Sequence, residues 1–262
     1  MEKRILKNMV KEQDFTFGII LQILDPDVTE SVCCAGFDIV VFDLEHTGKT
    51  IESAYPCIMV AYAKNVPALI RTADKDQHFI EQALDAGAQG VVVPTIETVE
   101  DCINLVKAAK YAPMGTRGYC PMTATTRWMN HVSSDLLTYA NDANRDTFIL
   151  AMIETPEGIK NLPEMLKVDG IDGFHLGPGD YGMRVGKNVW DPETAKVLED
   201  ASELITNAGK ISVPIVTSEN FEAKYKSGGK VVIVGKGIDA AIQDTYSKMK
   251  REMLDIVKAC KK

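Results

Sequence analysis

Short apolar runs, rich in β-branched and aromatic residues, recur along the chain. Between them lie longer stretches whose apolar positions fall every three or four residues. The runs are Phe15–Gln22, Phe37–Leu44, Pro67–Thr72, Gly90–Ile96, Phe148–Ile153, Gly173–Leu176, Ile211–Val216 and Val231–Gly235. Within each run the apolar residues are nearly continuous rather than alternating, as in parallel strands buried on both faces. Eight such strands alternating with helices predict an α/β protein of the (β/α)8 TIM-barrel type, a single domain over residues 1–262. A doubly wound open sheet shares the alternation, but eight units close naturally into a barrel.

The intervening segments carry helix signals. Asp76-Gln-His-Phe-Ile-Glu-Gln-Ala-Leu-Asp-Ala-Gly87 has helical spacing and ends in a glycine suited to the C′ position. Thr155-Pro156-Glu157 places proline at a helix start and an acid in the first turn. Glu97–Lys110 is acidic in front and basic behind, matching the helix dipole. Residues 111–144 are long for one connection and predict a functional loop followed by a helix. Ile238–Lys258 reads as a final amphipathic helix.

Composition narrows the function classes. The 262 residues suffice for one barrel, the usual size being about 250. The net charge of -8 argues against sequence-independent nucleic-acid binding, which needs a basic stripe. No apolar run approaches the ~18 residues of a membrane span, and the first residues lack the apolar core of a secretory signal. The six cysteines, Cys33, Cys34, Cys57, Cys102, Cys120 and Cys260, form no Cys-x-x-Cys pair. They read as reduced, mostly packed thiols of a cytoplasmic protein.

Four strands end in a charged group. Phe37–His46 delivers Asp43, Glu45 and His46; Pro67–Arg71 delivers Arg71; Phe148–Glu154 delivers Glu154; Gly173–Asp180 delivers Asp180. Four such ends suggest one site at the C-terminal mouth of a parallel barrel. Glu154 and Asp180, about one β/α unit apart, suit one hard divalent ion with water or substrate completing its shell. Helix capping or local pairing with arginine fits them equally. His46, close to Asp43, suits a general acid or base; a capping Asp43 beside a partly exposed His46 fits as well. Arg71 requires either a local carboxylate or a ligand's oxygens. Gly177-Pro-Gly-Asp-Tyr-Gly182 follows a strand but lies late in the chain and lacks the acid that a dinucleotide site requires. It reads better as backbone N–H groups turned towards an anion. His78 reads as a surface residue and His175 as packed. His131 has no visible partner, and Trp128 and Trp190 read as packing residues.

The order and spacing of several motifs carry a resemblance. They are Phe37-Asp-x-x-x-x-Asp43-x-Glu45-His46, Pro67-x-x-x-Arg71, Leu84-Asp85-Ala-Gly-Ala-Gln-Gly90, Arg117-Gly118, Ile153-Glu154-Thr155, and Val168-Asp-Gly-Ile-Asp-Gly173 leading to Gly177-Pro-x-Asp180. From about Phe15 to Gly235 the chain resembles the HpcH/HpaI aldolase family, the metal-dependent (class II) pyruvate aldolases typified by 4-hydroxy-2-oxoheptanedioate aldolase. The resemblance implies a barrel of the phosphoenolpyruvate/pyruvate-domain type, often a homo-hexamer built as a trimer of dimers. There the last helix, here Ile238–Lys258, is exchanged between barrels. It implies reversible cleavage of a 4-hydroxy-2-oxo acid to pyruvate and an aldehyde. Glu154 and Asp180 would ligate Mg²⁺, Mn²⁺ or Co²⁺, and Arg71 would hold the keto oxygen. His46, supported by Asp43, would be acid and base. The turn Gly177, Pro178 and Gly179 would receive the pyruvate carboxylate, and Val216 would line the pocket where the family has Leu. Asp85 would reach a neighbouring subunit's site. Other reactions through a metal enolate (oxaloacetate decarboxylation, acyl-CoA lysis, macrophomate-synthase-like bond formation) and a non-catalytic metabolite-binding barrel are the alternatives. The chain departs from the family at Met152, where many members have Gln, and in the loop Tyr119-Cys-Pro-Met-Thr123.

Overall fold

The computed structural model describes residues 4–127, 135–188, 191–226, 229–235 and 237–260. Trp128, His131 and Trp190 lie outside them. Nine parallel strand segments form one sheet: β1 Thr16–Leu21, β2 Ile39–Asp43, β3 Ala68–Arg71, β4 Gly90–Val93, β5 Phe148–Ile153, β6 Gly173–Leu176, β7 Ile211–Val213, β8 Ile215–Val216 and β9 Val231–Val234. Their order is β7-β6-β5-β4-β3-β2-β1-β9-β8.

The two ends of that ladder, β7 and β8, are halves of one predicted strand. Pro214 separates them because it has no N–H to give to a ladder. The first half pairs with β6, placing Val213 opposite His175, and the second pairs with β9, placing Val216 opposite Val234. The Pro214 carbonyl still accepts from the Ile233 N–H at 3.0 Å. The sheet therefore closes into the expected barrel, with a seam at Pro214. β4 stops at Val93 rather than Ile96 because Pro94 interrupts it and Thr95 turns to a left-handed φ of 52°.

Eleven helices are described: α1 Leu6–Glu12, α2 Pro26–Cys34, α3 Ile51–Ala63, α4 Gln77–Asp85, α5 Val99–Ala109, α6 Leu136–Asp146, α7 Pro156–Met165, α8 Pro178–Val185, α9 Pro192–Asn207, α10 Phe221–Lys226 and α11 Ile238–Cys260. Their starts follow local chemistry. Asp76 caps α4, Thr98 and Asp101 form a reciprocal capping box on α5, and the Thr155 hydroxyl accepts from Gly158 N ahead of Pro156 in α7. Each such cap contributes about 1 kcal/mol.

Two apolar layers result. One lies between sheet and helices; the other fills the barrel with Ile39, Val41, Leu69, Leu150, Val213 and Ile233 among others. α1, which the sequence reading did not anticipate, adds Leu6 and Val10 to the inner layer. The Leu6 N–H donates to Gln89 Oε1 just before β4, so α1 plugs the N-terminal mouth. Fully burying a leucine contributes about 1.5–3 kcal/mol. Polar groups are thereby left to the opposite, C-terminal mouth.

Candidate active site

β2 and β3 are neighbours in register, with Asp43 opposite Arg71 as the last residue of each. Both point into the barrel mouth. Asp43 is fully buried and Arg71 is 6% exposed. Arg71 Nε donates to Asp43 Oδ1 at 2.8 Å and Nη2 donates to Oδ2 at 2.7 Å, a bidentate fork. Gln22 Nε2 adds a third bond to Oδ2 at 3.2 Å, and the Glu45 N–H donates to Oδ1 at 3.0 Å. Burial alone would push the Asp43 carboxyl up. The Arg71 guanidinium and these donors outweigh it and hold the group below the usual carboxylate range.

Asp43 also sets the loop that follows. Its Oδ1 accepts the His46 backbone N–H at 3.4 Å and its carbonyl accepts the Thr47 hydroxyl at 3.0 Å. The His46 imidazole, however, does not meet Asp43, whose oxygens Arg71 engages. Its Nε2 lies 3.7 Å from Glu45 Oε2 and 3.6 Å from Asp180 Oδ2, with the ring half exposed. These distances exceed a hydrogen bond, so the ring stands half exposed between two carboxylates without bonding to either.

Sequence reasoning did not assign a role to Glu45. Its Oε2 is buried 3.3 Å from Arg71 Nη1. Burial, then the Glu154 charge, push its carboxyl up to about 7 against the pull of Arg71 and His46. The signal was present in the Asp-x-Glu-His spacing, which puts the second acid back over the strand end.

Glu154 follows β5 and is 1% exposed. One oxygen is fixed: Oε1 accepts from the Thr95 N–H at 2.9 Å and the Thr95 hydroxyl at 3.1 Å. The left-handed Thr95 backbone aims both donors at it; Thr95 too was missed, since nothing in the sequence marks its φ. The other oxygen, Oε2, is buried with no hydrogen-bond partner. Burial and then the Asp180 charge push Glu154 upward. Gly177 makes room for this carboxylate, because a Cβ there would stand 2.8 Å from Glu154 Oε2 and 2.6 Å from Met152 Cε.

Asp180 lies in the first turn of α8, half exposed. In the preceding turn the Gly177 N–H is already given to Ile153 O at 3.0 Å, and Pro178 has none. The first-turn N–H groups of Gly179 and Asp180 have no intrahelical partner by geometry. They are left free to donate outward.

Four carboxylates thus face one guanidinium and one imidazole. Two of the four are pushed up by their surroundings, and each of those two, Glu45 and Glu154, has a buried Oε2 with no hydrogen-bond partner. A hard divalent cation fits this donor set. Among the described residues no three His, Cys, Asp or Glu side chains converge as a closed metal cage would. Glu154 and Asp180 would therefore hold an ion only with water or substrate oxygens beside them, the habit of Mg²⁺ and similar ions.

Val216 is buried at the end of β8, its carbonyl bound by the Gly235 N–H at 2.7 Å. Asp85 closes α4 at the opposite end of the barrel and pairs with Arg117 Nη2 at 2.8 Å, so it is not part of this protomer's site. His78 is exposed on α4 and His175 is buried in β6.

Known proteins resemble this chain in sequence and in fold. The family model for HpcH/HpaI aldolase/citrate lyase matches residues 17–240. A hydroxypyruvate/pyruvate aldolase of Deinococcus radiodurans is 32% identical over 86% of this chain and 80% of its own. A 4-hydroxy-2-oxo-heptane-1,7-dioate aldolase of Klebsiella pneumoniae is 32% identical over 90% of this chain and 88% of its own. The crystal structure of an HpcH/HpaI aldolase from Desulfitobacterium hafniense superposes with a TM-score of 0.87 at 22% identity, covering 95% and 96% of the two chains. With the barrel closed and its strand-end acids gathered round Arg71, the chain belongs to the HpcH/HpaI aldolase/citrate lyase family of carbon–carbon lyases.

Proposed function

We propose that this lyase cleaves a 4-hydroxy-2-oxo acid reversibly to pyruvate and an aldehyde, with a divalent cation, Mg²⁺, Mn²⁺ or Co²⁺, held by Glu154 and Asp180. The observation that carries this reading is the unbalanced charge at the barrel mouth. Four carboxylates crowd around Arg71, and the orphaned Glu154 Oε2 opens towards Gly177.

The cation, when bound, supplies Lewis-acid polarisation of the substrate's 2-keto oxygen. Arg71, clamped by Asp43, aims its spare N–H at the same oxygen, where negative charge develops as the C–C bond breaks. His46 takes the proton from the 4-hydroxyl and returns one in the synthetic direction. Asp43 serves that base by fixing the loop that carries it. The Gly179 and Asp180 N–H groups receive the substrate carboxylate, and Pro178 and Val216 give the site an apolar wall. No lysine is required as an imine-forming nucleophile. The test is a panel of 4-hydroxy-2-oxo acids, oxaloacetate and acyl-CoA thioesters, assayed with and without EDTA. Cleavage of the hydroxy-oxo acids that EDTA and Glu154→Ala both abolish supports the reading. Activity that survives both removes the metal role.

The same reading extends to assembly. α11 has no buried residue, and Ile242, Tyr246, Met249, Met253 and Val257 form an exposed apolar row along it. A row of this kind marks an interface in soluble proteins. It supports exchange of α11 within a homo-hexamer, in which Asp85 would approach a neighbour's site. Light scattering of the full chain and of a chain ending at residue 237 tests this. The proposal includes one domain over 1–262, a cytoplasmic setting, and no nucleic-acid or membrane partner. The net charge of -8 and the lack, among the described residues, of a helix long and apolar enough to cross a membrane support it.

A further inference from the structure

His175 points into the barrel from β6 with 2% of its surface exposed. Its Nδ1 lies 2.8 Å from the Val213 carbonyl oxygen. A carbonyl only accepts, so Nδ1 carries the proton and Nε2 is left a bare lone pair. That Nε2 is buried and has no hydrogen-bond partner. Burial pushes the ring down to about 4; the Val213 carbonyl opposes this and the Arg71 charge adds to it. The imidazole is therefore neutral near pH 7.

A buried acceptor left unpaired costs about 1–3 kcal/mol, and this one lies directly under the catalytic mouth. His175 is opposite Met152 in the β5–β6 ladder. Each is the inward-facing residue one step below a site residue, Gly177 above the first and Glu154 above the second. Its lateral neighbours in the inner layer, Met152 and Val213, have no side-chain donor. The inward-facing cation whose charge reaches the ring is Arg71. Of the five N–H bonds of Arg71, two go to Asp43 and one faces Glu45, so two remain. The substrate's keto oxygen requires one.

We propose that His175 is a positioning residue of the lyase. Its Nε2 accepts the other free N–H of Arg71 across one ordered water. Asp43 then holds the guanidinium from the side and His175 from below, which leaves a single N–H aimed at the developing enolate oxygen. With Met152 beside it, His175 is the polar element of this part of the floor. The inference deepens the function proposed above and rests on it.

Two substitutions in the Mn²⁺-loaded enzyme separate this role from packing. In His175→Gln the amide N–H can still donate to Val213 O while the amide oxygen accepts from below Arg71. In His175→Leu the volume is filled but neither bond forms. The expected result is turnover within about fivefold of wild type for the first and a fall of roughly 10- to 100-fold for the second, with an unchanged Mn²⁺ dissociation constant by calorimetry in both. A leucine variant as fast as wild type, or equal losses in the two variants, overturns the proposal. A crystal structure of the wild-type enzyme with Mn²⁺ and oxalate gives a readout independent of folding and turnover in the variants. Nε2 within about 3.2 Å of a water bound to an Arg71 nitrogen supports the role; Nε2 facing only carbon overturns it. If the wild type cleaves no hydroxy-oxo acid, the substrate reading fails, while the crystal distance still decides what His175 does.

Discussion

Replacing Asp43 by Asn keeps the volume and removes one charge from the most buried pair in the site. The perturbation falls on an Asp with no exposed surface facing an Arg side chain 7% exposed, joined by bonds of 2.8 and 2.7 Å. Breaking a buried pair by removing one partner costs about 3–5 kcal/mol, because the other charge stays buried. Glu45, 3.3 Å from Nη1, remains as a second partner and keeps the cost near the lower end. For a chain of this size each kcal/mol lowers Tm by about 2–4 °C, so the expected fall is roughly 6–12 °C. Thermal denaturation at fixed protein concentration reads it. Asp200→Asn is the control, since it removes an exposed partner of Lys196 at 2.6 Å and is expected to leave the melting temperature nearly unchanged. Turnover should fall further than stability accounts for, because Asp43 also fixes the backbone of Glu45 and His46. An Asp43→Asn melting temperature matching that of the control would refute the claim that this pair anchors the mouth.

Three other outcomes follow from the same geometry. Gly177→Ala drives a methyl group to 2.8 Å from both Glu154 Cβ and Oε2. It should cost about 1–3 kcal/mol as overpacking and weaken Mn²⁺ binding in calorimetry; unchanged affinity would dissociate Gly177 from the ion site. Glu45, pushed up to about 7 by burial, favours the fold below the ordinary carboxylate range, and that contribution is lost as pH rises through about 7. The metal-free wild type should therefore lose stability relative to Glu45→Gln between about pH 5 and 8, by an amount on the order of 3 kcal/mol; parallel pH curves would contradict this. His46→Ala should lower kcat much more than it weakens pyruvate binding, whereas Arg71→Ala damages both, so equal loss of binding in the two variants would reject the division of roles.

The fold was legible because buried parallel strands leave nearly continuous apolar runs, and each of the eight predicted runs contains strand. Misreadings arose where one residue overrides a pattern. Pro214 splits a strand that reads as continuous, and Pro94 ends β4 early. α1 was overlooked because seven residues give too short a period to recognise, though Leu6, Met9 and Val10 form its buried face. In the site, strand-end polar groups flagged His46, Arg71, Glu154 and Asp180, since a polar group closing an apolar run is visible in one dimension. Pairing is not. The sequence placed Asp43 near His46, and only the β2–β3 register shows that its oxygens go to Arg71. Thr95 was invisible because its role depends on a backbone turn. The unpaired nitrogen of His175 depends on the Val213 carbonyl of a strand 38 residues later.

Whether this mouth makes pyruvate enolate can be measured without knowing the aldehyde. Pyruvate is incubated with the enzyme in deuterated water, first with Mg²⁺, then with Mn²⁺, then with EDTA, and loss of the methyl proton signal is followed by NMR (after removal of Mn²⁺ where that ion is used). The proposed chemistry predicts exchange that requires the metal, stops with EDTA and disappears in Glu154→Gln. Folded wild-type protein that exchanges no methyl protons with any divalent ion, or exchanges them equally well in EDTA, would contradict it.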